Sequence, residues 1–205
     1  MRLGILADIH EDVAKLTLAL RHCRREEVDQ VVLLGDVFDT GKHLRETVAL
    51  LAGAGAVGVW GNHDLGLCHE PQDRVRERYA GPALDFMGTL RPRLELEGCL
   101  FTHGLPCWDA TDPLVYYLGE RPESSGGLAG SFGACDHAVL FTGHFHRWLA
   151  ATPEGRLGWD GGEPITLRED RRHLVVVAAV CDGWCAVFDT DSRGLVPHRL
   201  AERGE

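Results

Sequence analysis

Five short apolar runs in this chain each end in a cluster of acidic, imidazole or amide side chains, and no other feature constrains the fold as tightly. Residues 3–7 lead into Asp8 and His10, residues 31–34 into Gly35, Asp36 and Asp39, and residues 57–60 into Gly61, Asn62, His63 and Asp64. Residues 99–102 lead into His103 and Gly104, and residues 138–141 into Thr142, Gly143, His144 and His146. The first runs do not alternate polar with apolar. Between them lie segments with helical spacing: Val13, Leu16, Leu20 and Cys23, then Leu44, Val48 and Leu51, closed by Gly53 and Gly55. Glu11 and Asp12 are expected in the first turn of the first helix, where carboxylates suit the helix dipole. Non-alternating strands joined by helices make a parallel sheet covered on both faces. In such sheets ligands gather beyond the carboxyl ends of the strands, where all five clusters fall.

The second half reads differently. Leu94, Glu95, Leu96 and Glu97 alternate, and Gly98 then turns the chain into the next run. Residues 174–180, 185–188 and 195–200 read as a strand meander. The segment 104–136 is too long for a plain connector and holds the flexible-looking stretch Ser124-Ser125-Gly126-Gly127, so it is expected to act as a lid or substrate loop. The 205 residues carry no repeat and read as one domain.

Composition narrows the partners. A net charge of −10, with no basic run longer than Arg171-Arg172 plus His173, argues against long nucleic acid. The seven cysteines are odd in number and form no CxxC pair, which indicates neither a disulfide framework nor a zinc ribbon. Cys181 and Cys185 read as two thiols on neighbouring strand ends. No stretch reaches the ~20 apolar residues of a membrane span, and Asp8 arrives too early for a signal peptide, so a cytoplasmic location is expected.

Singly the clusters mean little. With 16 Asp and 11 His, an Asp-x-His pair arises about once by chance. Asp8 or Asp36 alone also reads as a helix N-cap, and His103 alone as a packed histidine. Gly143-His144-x-His146 is much rarer, and Asn62 is the only asparagine in the chain. The ordered set of DxH, GDxxD, GNH with a following acidic residue, a lone His and GHxH resembles the calcineurin-like metallophosphoesterases, and it spans residues 8 to 146.

The resemblance implies an α/β fold: a two-sheet sandwich flanked by helices, parallel-rich in its N-terminal half and antiparallel in its C-terminal strands. It also implies one divalent ion held by Asp8, His10 and His146, a second held by Asn62, His103 and His144, and Asp36 bridging both. His63 would protonate the leaving oxygen, and Asp39 would orient an imidazole. The chemistry is consistent. Two cations about 3.5–4 Å apart need a shared anionic bridge, and such a pair lowers the pKa of a bridging water. Histidine suits a general acid near neutral pH. Mn is the expected ion, with Fe, Zn, Co and Ni also open, because these nitrogen and oxygen donors do not choose among them. Arg147 could contact phosphate or make a surface ion pair; Trp108, Tyr116 and Tyr117 could stack on a ring or anchor the long loop.

Departures from the pattern narrow the branch. Protein Ser/Thr phosphatases of this superfamily place an Arg after the second Asp of GDxxD and a Glu after GNH, where this chain has Thr40 and Asp64. Purple acid phosphatases need a metal-binding Tyr after the bridging Asp, where Val37 and Phe38 follow. No helical cap is evident. The expectation is a small, capless bacterial-type phosphodiesterase or phosphatase acting on a small molecule or nucleotide. A nuclease or nucleotide-end-processing enzyme is the alternative. A non-catalytic scaffold is the weaker one, because loss of turnover should erode ligands and all seven are present with His63.

Overall fold

The computed structural model describes residues 1–201. The first apolar run forms β1 (Arg2–Leu6), followed by helix α1 (Val13–Arg25). Asp12 caps this helix, its carboxylate accepting from the Lys15 N–H at 3.0 Å, and Leu16, Ala19, Leu20 and Cys23 form the buried face. Glu11 is not in the first turn; it stands before the cap, in left-handed backbone with φ of 57°. β2 (Gln30–Leu34), α2 (Leu44–Gly53) and β3 (Val57–Val59) repeat the strand–helix pattern. Three short helices follow, α3 (Leu65–Cys68), α4 (Asp73–Tyr79) and α5 (Pro82–Met87).

β4 (Leu94–Leu96) and β5 (Cys99–Thr102) form the expected hairpin. Its two-residue turn, Glu97 at φ 50° and Gly98 at φ 72°, has the positive backbone angles that match strand twist. The long segment contains α6 (Val115–Leu118) and α7 (Ser125–Gly133). Residues 124–127 are thus not a flexible stretch. Ser124 caps α7 by accepting from the Gly127 N–H at 2.9 Å, and Leu128 and Phe132 pack into the core. β6 (Val139–Thr142), β7 (Leu149–Thr152), β8 (Gly155–Arg156), β9 (Ile165–Thr166), β10 (His173–Val176), β11 (Trp184–Asp189) and β12 (Gly194–Arg199) complete the chain.

The strands make two six-stranded sheets, ordered β3-β2-β1-β11-β12-β9 and β4-β5-β6-β10-β7-β8. β1, β2 and β3 run parallel, as do β5, β6 and β10; the remaining pairs are antiparallel. The inner faces meet through Leu3, Ile5, Val32, Leu34, Phe101, Phe141, Val175 and Phe188. Ring centroids of Phe101 and Phe141 lie 5.3 Å apart, and those of Phe141 and Phe188 5.2 Å. Leu6 and Leu33 face α1 and α2 on one outer side, and Leu100, Leu140 and Leu174 face α7 on the other. The result is the expected helix–sheet–sheet–helix sandwich.

The expected meander is divided between the sheets. β10 pairs with β6 and β7, while β11 and β12 belong to the other sheet. Residues 177–183 make the crossing: the Val177 N–H donates to Thr142 O at 2.8 Å, and the Val180 N–H donates to Ala7 O at 2.7 Å. An unbroken apolar run satisfies either course, because all of Val177 to Val180 are buried, Val177 and Ala178 between the sheets and Val180 in the core against α1 and α2. The crossing carries the next residues to the edge where β1 and β6 end.

Candidate metal centre

At the ends of β1, β2 and β6 the chain folds back sharply. Asp8, His10, Asp36, His144 and His146 have φ of 52°, 48°, 53°, 66° and 51°. Five of the seven expected ligands thus occupy left-handed backbone, which costs about 1–3 kcal/mol per residue and concentrates at functional sites. The turns are laced together. The Asp8, His10 and Glu11 N–H groups donate to Gly35, Asp36 and Val37 carbonyls at 3.0, 2.9 and 3.1 Å. Such close approach demands glycine nearby: a Cβ on Gly61 would lie 2.1 Å from Asp36 Oδ1, and one on Gly35 2.6 Å from the Gly61 nitrogen.

Asp36 is central. Its Oδ1 accepts from the His63 N–H at 3.0 Å; its Oδ2 lies 3.4 Å from His103 Nε2 and 3.7 Å from His10 Nε2. His103 Nδ1 donates to Leu34 O at 2.6 Å, so its Nε2 faces Asp36 and, at 3.1 Å, Asn62 Oδ1. Asp8 is fully buried and accepts from the His144 N–H at 3.0 Å; His146 Nε2 lies 3.5 Å from its Oδ1. His144 Nε2 donates to Tyr116 O at 2.9 Å, leaving Nδ1 as the free donor atom. Two donor triads result, His10–Asp36–His63 and Asp36–His103–His144, each with ligand atoms within 4.8 Å of one another. They share Asp36, and a third group joins His10, His146 and Cys181. Buried carboxylates facing convergent imidazoles, with one carboxylate common to two sets, fit a pair of divalent cations.

All seven expected ligands therefore converge, and His63 sits beside them, exposed, its ring 4.8 Å from that of His10. The other expectations fare differently. Asp39 is exposed, and among the described residues its carboxylate meets no imidazole; its backbone N–H donates to Glu11 Oε1 at 3.2 Å instead. Arg147 forms an ion pair with Glu123 of the long segment. Trp108 anchors that segment, since a Cβ on Gly104 or Gly119 would strike its ring, and it packs edge-on against Tyr116, His144 and Phe145.

Sequence reasoning missed two buried carboxylates that shape the site. Glu11 accepts from the N–H groups of Asp39, Gly41 and His43 at 3.2, 2.7 and 2.9 Å, holding the loop after β2. Asp64 accepts from Val37, Phe38 and Gly61 at 3.2, 2.8 and 2.9 Å, joining the Asp36 loop to the Asn62 loop. Asp64 was visible only as the acidic residue after GNH. Glu11 gave no signal separable from a helix start.

Protonation follows the packing. Burial pushes His10 and His144 down, favouring neutral imidazoles that can act as ligands. Burial pushes His103 down too, but the charge and hydrogen bond of Asp36 reverse this and raise it to about 9. Burial, then the Asp36 charge, raises Asp64 to about 6 against its three backbone donors. For His103 the sign is that of a raised base. Its stabilising contribution is complete below the ordinary value of 6.5 and is lost as pH rises through about 9. The metal-free protein is therefore expected to lose thermal stability across that window. Metal uptake, which must expel the same proton, should tighten over it. Melting curves of chelator-treated protein and proton release in calorimetry check both; a metal-free melting temperature that rises across the window would contradict the first.

A two-sheet sandwich with this donor set at its strand ends is the metallophosphoesterase class of fold. The family model described as the calcineurin-like phosphoesterase superfamily domain matches residues 1–183, and the chain belongs to that family. Among solved structures it is similar to a metallophosphoesterase from Sphaerobacter thermophilus, with 24% identity and a TM-score of 0.78, covering 99% of this chain and 89% of that one. It is also similar to an archaeal phosphodiesterase, with 14% identity and a TM-score of 0.57 over 98% and 100% of the two chains. A putative diadenosine tetraphosphatase aligns with 17% identity and a TM-score of 0.60 over 99% and 95%. These likenesses establish the fold. No curated protein sequence matches the chain.

Proposed function

We propose that this chain is a dinuclear metal-dependent phosphoesterase that hydrolyses a phosphodiester or phosphomonoester of a small molecule or nucleotide. The observation that carries the reading is the Asp36 carboxylate shared between His10 on one side and His103 with His144 on the other. Asp8, His10 and His146 would hold one ion, Asn62, His103 and His144 the other, with Asp36 between them. When bound, two divalent ions supply charge neutralisation on the phosphate oxygens and activate water for attack. Mn is the ion expected first, and the imidazole, carboxylate and amide donors equally suit Fe, Zn, Co or Ni.

The protein's own groups do the rest. Asp36 and Asp8 hold negative charge in a buried site, so cations are drawn in and anions are not bound without them. His63, exposed at the rim beside His10, delivers a proton to the departing oxygen. Beside His103 lies a pocket of about 250 Å³ lined by Arg93, Leu105, Pro106, Trp108 and Tyr116, which suits a leaving group of about one ring. The 104–136 segment supplies four of those residues and, by this reading, selects the substrate. No helix among the described residues is long and apolar enough to cross a membrane, and the seven cysteines are unpaired, which supports work in the reducing cytoplasm.

The test is add-back of Mn, Ni, Co, Zn or Mg to chelator-stripped protein, assayed on an aryl phosphodiester and its monoester. Metal-restored hydrolysis that His63→Ala slows about 10²–10⁴-fold, with metal content unchanged, is the expected result. A wild-type chain that takes up no metal removes the reading.

A further inference from the structure

The two imidazoles of the Gly143-His144-x-His146 motif are each held from behind by a group outside every motif. For His144 that group is the Tyr116 carbonyl. For His146 it is Asp182, whose Oδ2 lies 3.1 Å from Nδ1. With Nδ1–H donating to Asp182, the His146 Nε2 is the free nitrogen, and it is this atom that faces Asp8 at 3.5 Å. We infer that Asp182 is the positioning carboxylate of the first metal ion, fixing the tautomer and direction of His146.

The placement is built rather than incidental. Asp182 sits on the turn where the chain has just crossed from β10 toward β11. That turn is tied to β1 beside Asp8: the Val180 N–H donates to Ala7 O at 2.7 Å and the Cys181 N–H to Asp8 O at 3.1 Å. The turn closes on itself through Asp182 N–H to Ala179 O and Gly183 N–H to Val180 O, at 3.2 and 2.8 Å. The Lys15 ammonium, paired with the α1 cap Asp12, also donates to Cys181 O. The backbone that carries Asp182 is therefore fixed relative to Asp8, the ligand that His146 must meet. Cys181 Sγ, 3.9 Å from the same Nδ1, is the other group at that nitrogen, but it is too distant to set the ring's direction as the carboxylate does. Carboxylates in this relation raise ligand basicity as well as orient it, and losing one costs about 10–100-fold in metal affinity or activity. Side-chain exposures of 37% for His146 and 52% for Asp182 place the expected effect near the lower bound.

The inference rests on the metal reading above, and the experiment separates the two. Chelator-stripped wild type, Asp182→Ala, Asp182→Asn and His146→Ala are titrated with Mn by calorimetry and with Co followed by its visible spectrum. Asp182→Ala should weaken one metal equivalent about tenfold, the same one that His146→Ala removes, and leave the other unchanged. Asp182→Asn, whose amide oxygen still accepts from Nδ1–H, should fall between. In the His146→Ala background Asp182→Ala should add nothing, which a merely structural role would not produce. The metal-free melting temperature should stay at the wild-type value. Wild-type affinity for both equivalents in Asp182→Ala overturns this inference alone, as does equal weakening of both with a fall in melting temperature. A wild-type chain that binds no metal overturns it together with the proposed function.

Discussion

Asp36→Asn should lower phosphoester hydrolysis by about three orders of magnitude, the several kcal/mol that metal-ion charge stabilisation supplies. It should also reduce bound metal below two equivalents. Asparagine is the informative choice. It keeps the acceptor for the His63 N–H and tolerates the left-handed backbone at φ 53°, so the fold is retained. What it removes is the charge that faces His10 and His103 at once. His103, whose raised pKa depends on that charge, should then be neutral near pH 7. Metal content by elemental analysis, turnover on the aryl diester and the pH dependence of metal-free stability should all change together. An Asp36→Asn protein with two bound metals and wild-type turnover would show that the shared carboxylate is not the bridge.

Asp64→Ala should destabilise the protein by about 3–5 kcal/mol, read as a lower midpoint in urea unfolding. The fully buried carboxylate is the only acceptor recorded among the described residues for the N–H groups of Val37, Phe38 and Gly61. Its loss strands two buried donors and one partly buried, each worth about 1–3 kcal/mol, offset where water enters the cavity. The damage also reaches the chemistry, since the loops tied by Asp64 carry Asp36 on one side and Asn62 and His63 on the other. Asp64→Asn keeps acceptor oxygen for some of the donors and should cost about half as much. Wild-type stability in Asp64→Ala would mean that these loops are held by other contacts.

Both predictions concern residues of different legibility. Asp36 was readable because its position is a local fact: an apolar run, a glycine, then a carboxylate that must stand at the strand's end. The same holds for Asp8, Asn62, His103, His144 and His146, and for the Glu97-Gly98 hairpin, where two residues fix the turn. The ordered motifs then fixed the family and, with it, the two-sheet sandwich. By contrast, the length of α7 was hidden, because Ser124-Ser125-Gly126-Gly127 has the composition of a loop. Its helical state depends on Leu128 and Phe132 finding β5 and β6. The crossing after β10 was hidden for a similar reason: an apolar run records burial, not which sheet supplies it.

The amino-acid sequence by itself thus determined which side chains gather at the strand ends and what chemistry they suit. Tertiary structure decided which groups hold those side chains in place. Glu11 grips a loop up to 32 residues away, Asp64 one 26 or 27 residues away, and Asp182 reaches His146 across 36 residues while Asp39 points to solvent. Ligand position follows strand periodicity, which is short-ranged and therefore written locally. A carboxylate's choice between a backbone N–H, an imidazole and water depends on chain segments brought together only by the packed sandwich, and no local period encodes it.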